Sequence, residues 1–211
     1  MTNRWQVLVP VKALDMAKSR LELVAPMRRS LAMAMLHDVA EACTQVEGVG
    51  AVTVVSADDA ALNVTATGSL RCRGDELNED LVAAIGVTRR SLPDVGIAIV
   101  VADLPAVRAI DLKAVLDAAP RDRASFVAGR DGGTTVLILP AGVEVEPTFG
   151  PGSAARHAVV ATPCDDAAPG IRCDVDSMDD LNEAARLGVG RHTVAWLRQM
   201  RRAAAPMRCT I

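Results

Sequence analysis

The sequence predicts a single α/β domain with a mostly parallel sheet flanked by helices. Short apolar runs rich in β-branched residues, such as IAIVVAD (97–103), alternate along the chain with amphipathic stretches of helical period. Parallel strands need crossover connections, which are usually helices, so this alternation favours a parallel sheet covered on both faces. The 211 residues are enough for one such domain with a sizeable core.

The individual elements follow from local patterns. Strands are predicted where apolar runs end at turn residues, at 6–10, 51–57, 97–103, 124–129, 134–140 and 171–176. Helices are predicted at 26–44, 81–92, 109–119, 153–160 and 177–187. The first carries apolar residues at i, i+4 spacing, and the last opens with the capping-box pattern Ser177-x-x-Asp180. We expect the main domain to span 1–190, followed by a basic helix and tail at 191–211.

Composition excludes several classes of protein. The net charge of −3 argues against a nucleic-acid-binding protein, which would carry a basic face. No apolar run approaches the roughly 18 residues of a membrane span, and the N-terminus lacks a signal-peptide pattern. The five cysteines are odd in number and form no CxxC pair, which indicates reduced thiols and no zinc site. We therefore expect a cytoplasmic protein that binds neither nucleic acid nor membrane.

Ligands of open parallel sheets bind beyond the carboxyl ends of the strands, so charged residues there are candidate site residues. After the first strand come Lys12, Lys18 and Arg20, three cations that suit a polyphosphate, although a solvated loop would look the same. The P-loop pattern GxxxxGK[ST] is absent from this loop, which disfavours a P-loop ATPase.

Three aspartates indicate a metal site. Asp103 ends a predicted buried strand, where the alternative is a carboxylate that caps a turn. Asp174 and Asp176 flank Val175, and on a strand alternate residues share one face, so both carboxylates can point to one place. Two like charges repel, and a divalent cation such as Mg²⁺ relieves the repulsion.

The stretch FGPGSAARH (149–157) allows two interpretations. It is either a tight turn whose serine caps a helix, or an anion cradle with backbone N–H groups directed at a phosphate or carboxylate. The residues of the stretch alone do not decide between them.

Six stretches together resemble the phosphoenolpyruvate and 2-phospho-L-lactate guanylyltransferases of coenzyme F-420 biosynthesis (the CofC/FbiD family), within the MobA-like nucleotidyltransferases. In chain order they are VPVKALDMAKSRL, GDELNEDL, VVADLPAV, GGTTVLIL, FGPGSAARH and CDVDSMDDL. One departure from the wider superfamily is visible, because the lysine-rich VPVKALDMAKSR replaces its glycine-rich LAGGxSxRM loop. This replacement matches the guanylyltransferase family and puts a sugar-phosphate substrate in doubt.

The resemblance implies a Rossmann-like, GT-A-like nucleotidyltransferase domain. It also implies transfer of GMP from GTP to the phosphate of a small phosphorylated acid, with release of pyrophosphate. Mg²⁺ would bind Asp103, Asp174 and Asp176, and the triphosphate would bind Lys12, Lys18 and Arg20. Asp75 and Asn78 would contact guanosine, unless they only form the start of a helix with Asn78 as its cap. Thr135, Gly150 and Ser153 would contact the acid.

Some questions stay open at this level. A nucleotide-sugar glycosyltransferase also uses a DxD metal site, and a non-catalytic nucleotide-binding module would not need the three aspartates. Phosphoenolpyruvate is our preferred acid, with 2-phospho-L-lactate and 3-phosphoglycerate as alternatives. The sequence is compatible with a homo-oligomer and does not assign a role to the basic tail. His157 either contacts the carboxylate of the acid or lies on the surface of a helix.

Overall fold

A seven-stranded mixed sheet forms the centre of the molecule, in the order β3-β2-β1-β4-β6-β5-β7. The computed structural model describes residues 5–12, 21, 23–64, 68–74 and 76–204. Its strands are β1 (Trp5–Val11), β2 (Val49–Ser56), β3 (Gly68–Arg71), β4 (Gly96–Val100), β5 (Ser125–Ala128), β6 (Thr134–Leu139) and β7 (Thr162–Pro163). β6 runs antiparallel to both of its neighbours, β4 and β5, whereas the other pairs are parallel. The predicted α/β class with a mostly parallel, mixed sheet is confirmed.

Helices cover both faces of this sheet, as the strand pattern requires. In β1, Val7 and Val9 point to the face covered by α1 and α4, whereas Leu8 points to the face covered by α3. The helices are α1 (Ala25–Thr44), α2 (Asp59–Leu62), α3 (Leu77–Ser91), α4 (Ala109–Ala118), α5 (Ser153–His157), α6 (Met178–Leu187) and α7 (Arg191–Ala204).

The last two helices pack against the outer side of α1. Leu31 and Met35 of α1 form a buried cluster with Leu181 of α6 and Trp196 of α7. The carboxylate of Asp38 accepts hydrogen bonds from the backbone N–H groups of His192 and Thr193, both at 2.9 Å, and so satisfies the start of α7. None of the described helices is long and apolar enough to cross a membrane.

The structure departs from the predicted elements in several places. Residues 171–176 do not join the sheet, although Cys173 and Val175 are buried as the alternation predicted. Instead, the Val175 N–H donates to the carbonyl oxygen of Asp103 at 3.0 Å. α3 begins four residues before the predicted start at 81, and α5 ends at His157. β3 and β7 were not predicted, because they are short edge strands without a buried apolar run.

The antiparallel direction of β6 determines which segments meet at the edge of the sheet where ligands are expected. Val136 near the start of β6 pairs with Val100 at the end of β4. The amino end of β6 therefore lies at the same edge as the carboxyl ends of β1 and β4. Lys12 follows β1, Asp103 follows β4, and Thr134 begins β6, so the topology brings three distant segments together.

Candidate active site

A cavity of about 520 Å³ opens at this edge of the sheet. Four aspartates line it together with the segment 149–153 and Thr134, and Lys12, at the end of β1, also belongs to the lining. Its volume is in the range of sites for small ligands and cofactors. The predicted ligand position beyond the strand ends therefore coincides with a real concave site.

Four carboxylates, Asp103, Asp131, Asp174 and Asp176, form what we call the carboxylate corner. One carboxylate oxygen from each of Asp131, Asp174 and Asp176 lies within 4.8 Å of the others. Asp174 and Asp176 point the same way because Val175 between them is buried, and Asp131 projects from the turn between β5 and β6. Asp131 is held there by the Gly133 N–H, which donates to its Oδ1 at 2.7 Å.

Charge repulsion in this corner is strong. Burial, and then the charges of Asp103 and Asp131, raise the pKa of Asp174 to about 7. A cation that offsets the charges of the neighbouring carboxylates would stabilise the ionised form of Asp174. Oxygen donors in this number and spacing suit Mg²⁺, which binds one or two carboxylates together with substrate phosphates. The residues present therefore fit the divalent cation that the resemblance implies.

The segment 148–153 is a loop held by side chains from both directions. Asn78 of α3 accepts the Phe149 N–H at 2.8 Å and donates to the Phe149 carbonyl at 3.1 Å. Arg156 donates to the carbonyl oxygens of Thr148 at 2.7 Å and Pro151 at 2.8 Å. These four hydrogen bonds fix the loop before any ligand arrives.

Backbone geometry in this loop requires glycine at two positions. Gly150 has φ 127° and Gly152 has φ 69°, both in the region that side chains disfavour. Gly152, not Ser153, is the cap residue of α5, so the interpretation of Ser153 as a helix cap is wrong. The Ser153 N–H donates to the Gly150 carbonyl at 3.0 Å, and the Ala154 N–H donates to the Gly132 carbonyl at 3.1 Å. These two N–H groups are bonded within the protein rather than directed at the cavity.

Three hydrogen-bonded side chains, Thr134, Ser153 and His157, form what we call the hydroxyl wall. His157 is completely buried, and its Nδ1 lies 2.7 Å from Thr134 Oγ1. Its Nε2 accepts the Thr148 N–H at 3.1 Å, and Ser153 Oγ lies 3.1 Å from Thr134 Oγ1. Burial, and then the charge of Arg156, lower the pKa of His157 to about 4, so the imidazole is neutral at pH 7.

The structure brings some predicted residues together and separates others. Lys12, Asp103, Gly150, Ser153, Asp174 and Asp176 all line the cavity. Thr135 is not among the lining residues, and its hydroxyl donates to the Val127 carbonyl at 3.3 Å. Asn78 is neither the cap of α3, which is Glu76, nor directed at the cavity, because both its amide atoms bind Phe149. Lys18, Arg20 and Asp75 lie outside the described residues.

Comparison with known families agrees with this geometry. The model of the family described as "Guanylyl transferase CofC like" matches residues 5–210. The chain belongs to this family. The predicted recognition and the nucleotidyltransferase class of enzyme are thereby confirmed.

Individual relatives and solved structures are consistent with this family assignment. A phosphoenolpyruvate guanylyltransferase of Nocardia farcinica is 40% identical over 204 residues, which cover 92% of this chain and 90% of the relative. Among solved structures, one described as a nucleotide-diphospho-sugar transferase of Desulfovibrio desulfuricans superposes with a TM-score of 0.70 at 17% identity, covering 96% of each chain. A nucleotidyl transferase of Methanothermobacter superposes with a TM-score of 0.58 at 15% identity, covering 93% of this chain and 99% of the other. The two structures show the fold that this CofC-like chain shares.

Sequence reasoning missed two residues of the site, Asp131 and Thr134, and left the role of His157 open. Asp131 belongs to an Asp-Gly-Gly turn, a composition that by itself indicates only a tight turn. Thr134 is adjacent to the predicted Thr135, and the alternation alone does not say which of the two faces the cavity. We left His157 open between a contact to the ligand's carboxylate and a surface position, and the structure supports neither, because both ring nitrogens are bound inside the protein.

Proposed function

We propose that this CofC-like protein joins the phosphate of phosphoenolpyruvate to the GMP unit of GTP and releases pyrophosphate. The observation that carries the proposal is one cavity that is lined both by a cluster of carboxylates and by prebuilt, hydrogen-bonded hydroxyl groups. Membership of the family and the names of the relatives supply the nucleotide and the acid. Coenzyme F-420 biosynthesis is the process that this reaction would serve.

The reaction needs no nucleophile from the protein. A phosphate oxygen of the acid attacks the α-phosphorus of GTP, the new P–O bond forms, and the bond between the α-phosphorus and the oxygen bridging to the β-phosphorus breaks. Pyrophosphate leaves with the electron pair of that bond. The protein has to hold two anionic reactants in line and to offset their charges.

The carboxylate corner is the side of the cavity for the metal. A divalent cation held there would supply positive charge that offsets the charges of the reactants. Asp174 and Asp176 are the proposed ligands, with Asp103 from the resemblance and Asp131 from the geometry as further candidates. Lys12 lines the cavity near this corner, where its ammonium would contact the triphosphate together with Lys18 and Arg20.

The hydroxyl wall is the side for the acid. Thr134 and Ser153 both line the cavity, but Thr134 is 6% exposed whereas Ser153 is fully buried. We therefore assign the hydroxyl contact with the acid to Thr134 in place of the predicted Thr135. Gly150 and Ser153 remain proposed acid-site residues, Gly150 through its backbone and Ser153 through its contact with Thr134.

The guanosine contacts remain a prediction for Asp75, whose carboxylate would accept the N1–H and N2–H₂ donors of guanine. For Asn78 the observed bonds to Phe149 favour a supporting role instead. Family membership argues against the glycosyltransferase alternative, and a non-catalytic module would leave the crowding of carboxylates without a purpose. A cytoplasmic location and the oligomeric state stay predictions.

The proposal is tested by incubating the protein with GTP, Mg²⁺ and each of phosphoenolpyruvate, 2-phospho-L-lactate and 3-phosphoglycerate. We expect release of pyrophosphate, greatest with phosphoenolpyruvate, and a product with the mass of the acid plus GMP less one water. ATP should be a poor substitute, because a pocket built for the donors of guanine leaves its own acceptors unmatched against adenine. Absence of pyrophosphate with all three acids would overturn the proposal.

A further inference from the structure

We propose that His157 is a positioning residue that makes the Thr134 hydroxyl a dedicated hydrogen-bond donor toward the cavity, and so selects an anionic oxygen there. The inference concerns His157, whose ring lies outside the lining of the cavity. It rests on the proposed function only for the identity of the acid. The tautomer and the hydrogen-bond directions follow from the geometry alone.

The first step is the tautomer of His157. A backbone N–H can only donate, and the Thr148 N–H is directed at Nε2 at 3.1 Å. Nε2 therefore carries the lone pair, and in the neutral ring the proton is on Nδ1. Nδ1–H then donates to Thr134 Oγ1 at 2.7 Å. The loop backbone thus determines which ring nitrogen faces the threonine.

The second step is the direction of the bond between Ser153 and Thr134. Ser153 is 0% exposed, and Thr134 Oγ1 is the partner that its hydroxyl has within the part of the chain that the structure describes. A buried hydroxyl proton without an acceptor is costly, so Ser153 donates and Thr134 accepts. The reverse direction would leave the Ser153 proton without a partner.

The third step concerns the hydrogen-bonding capacity that the Thr134 hydroxyl retains after these two bonds. A hydroxyl has two lone pairs and one proton, and both lone pairs of Oγ1 are used by His157 and Ser153. Its own proton is left for the cavity, which Thr134 lines. The hydroxyl can therefore donate to a ligand but cannot accept from one.

This arrangement matches the chemistry of the proposed acid. The phosphate and carboxylate oxygens of phosphoenolpyruvate are ionised and accept hydrogen bonds only. A hydroxyl that could rotate freely would have to be oriented on binding, whereas Thr134 is oriented in advance by two buried donors. The hydroxyl wall thus favours anions through a hydrogen-bond donor that is oriented in advance.

A matched pair of variants separates this role from a packing role. His157→Asn keeps an N–H near the position of Nδ1, whereas His157→Leu has a similar size and no donor, and neither side chain reaches Thr148. Calorimetry with Mg²⁺ present should show phosphoenolpyruvate affinity reduced roughly tenfold or more in His157→Leu and much less in His157→Asn. GTP affinity should be unchanged in both. Equal losses in the two variants would overturn the inference, because packing alone makes no distinction in favour of Asn.

Two further measurements complete the test of the role of His157. In a Thr134→Val background, which removes the hydroxyl but keeps the shape, replacing His157 by Leu or by Asn should have the same effect on phosphoenolpyruvate affinity. In ligand-free wild-type protein, long-range proton–nitrogen correlation spectra of the histidines should show a protonated Nδ1 that shifts in Thr134→Val. A protonated Nε2 would overturn the inference. Failure of the wild type to bind phosphoenolpyruvate, with a protonated Nδ1 intact, would instead contradict the proposed function.

Discussion

The carboxylate corner and the hydroxyl wall differ in how their polar groups are satisfied. In the carboxylate corner, like charges face one another and raise the pKa of Asp174 to about 7. In the hydroxyl wall, Thr134 and His157 are bonded to each other within the fold, and the neighbouring loop is fixed by Asn78. We expect the corner to be completed by what binds to it, whereas the hydrogen bonds of the wall are formed in the absence of a ligand.

Under the proposed function, this difference would let one small site hold two anions. A cation would relieve the repulsion in the corner, so we expect the corner to gain its order together with the metal and the nucleotide. The wall gains nothing from a cation and offers a donor already in place, which lowers the cost of ordering the acid. We expect the two sides to respond differently to mutation, to pH and to Mg²⁺.

Removing one charge from the corner should have the largest effect. Asp174→Asn and Asp176→Asn should each lower turnover by roughly 10²–10³-fold, the usual cost of one electrostatic group at a reacting centre. Steady-state rates and thermal unfolding would be measured, with Asp179→Asn on the exposed start of α6 as the control. Rates within threefold of wild type in both variants would remove the corner from the mechanism.

The corner should also give the protein an unusual pH dependence. The pKa of Asp174 rises from 3.8 to about 7 on folding, so the folded state holds this proton more tightly than the unfolded chain. The free energy of unfolding of the metal-free protein should therefore fall as the pH rises from about 4 to about 7. Asp174→Asn should remove this contribution, and Mg²⁺ should stabilise the wild type more at pH 8 than at pH 6.

His157 in the hydroxyl wall should change the free energy of unfolding with pH in the opposite direction, and it serves as the control for that experiment. The pKa of His157 falls from 6.5 to about 4 on folding, so its contribution to stability is present above pH 6.5 and is lost as the pH falls toward 4. Denaturant titrations of Asp174→Asn and His157→Leu over this range should separate the two slopes. Identical slopes in both variants would mean that neither group behaves as described.

Loosening the loop should affect one ligand only. Asn78→Ala removes both bonds to Phe149 and should weaken phosphoenolpyruvate binding by about tenfold, with GTP affinity nearly unchanged. Glu79→Ala, at the next and exposed position of α3, is the matched control. A selective loss of GTP affinity would instead restore Asn78 to the guanosine contact that the sequence predicted.

The smallest effect is expected from Thr135. Thr135→Val keeps the shape and removes only the bond to the Val127 carbonyl, so acid affinity should change by less than about threefold. Thr134→Val should cost distinctly more in the same calorimetric series. The reverse order would return the hydroxyl contact to Thr135.

Sequence analysis anticipated the fold and the corner better than the wall. The alternation of apolar and polar residues in strands is a local pattern, and so is the pair Asp174 and Asp176. Burial of Val175 between the two aspartates makes their side chains point in the same direction. The wall depends on β6, the 148–153 loop and α5, and on the tautomer of His157, which no spacing of residues reveals. Asp131 was missed for a related reason, because its role depends on the turn that brings it beside Asp174.

The central claim is that the cavity holds two anions in line and supplies no nucleophile of its own. The stereochemistry of transfer tests this most directly, using GTP made chiral at its α-phosphorus by one sulfur substitution, with phosphoenolpyruvate as acceptor. A single in-line displacement predicts inversion of configuration at that phosphorus in the product. Retention would indicate two displacements through a guanylylated side chain, with Lys12 as the first candidate, and would contradict the account.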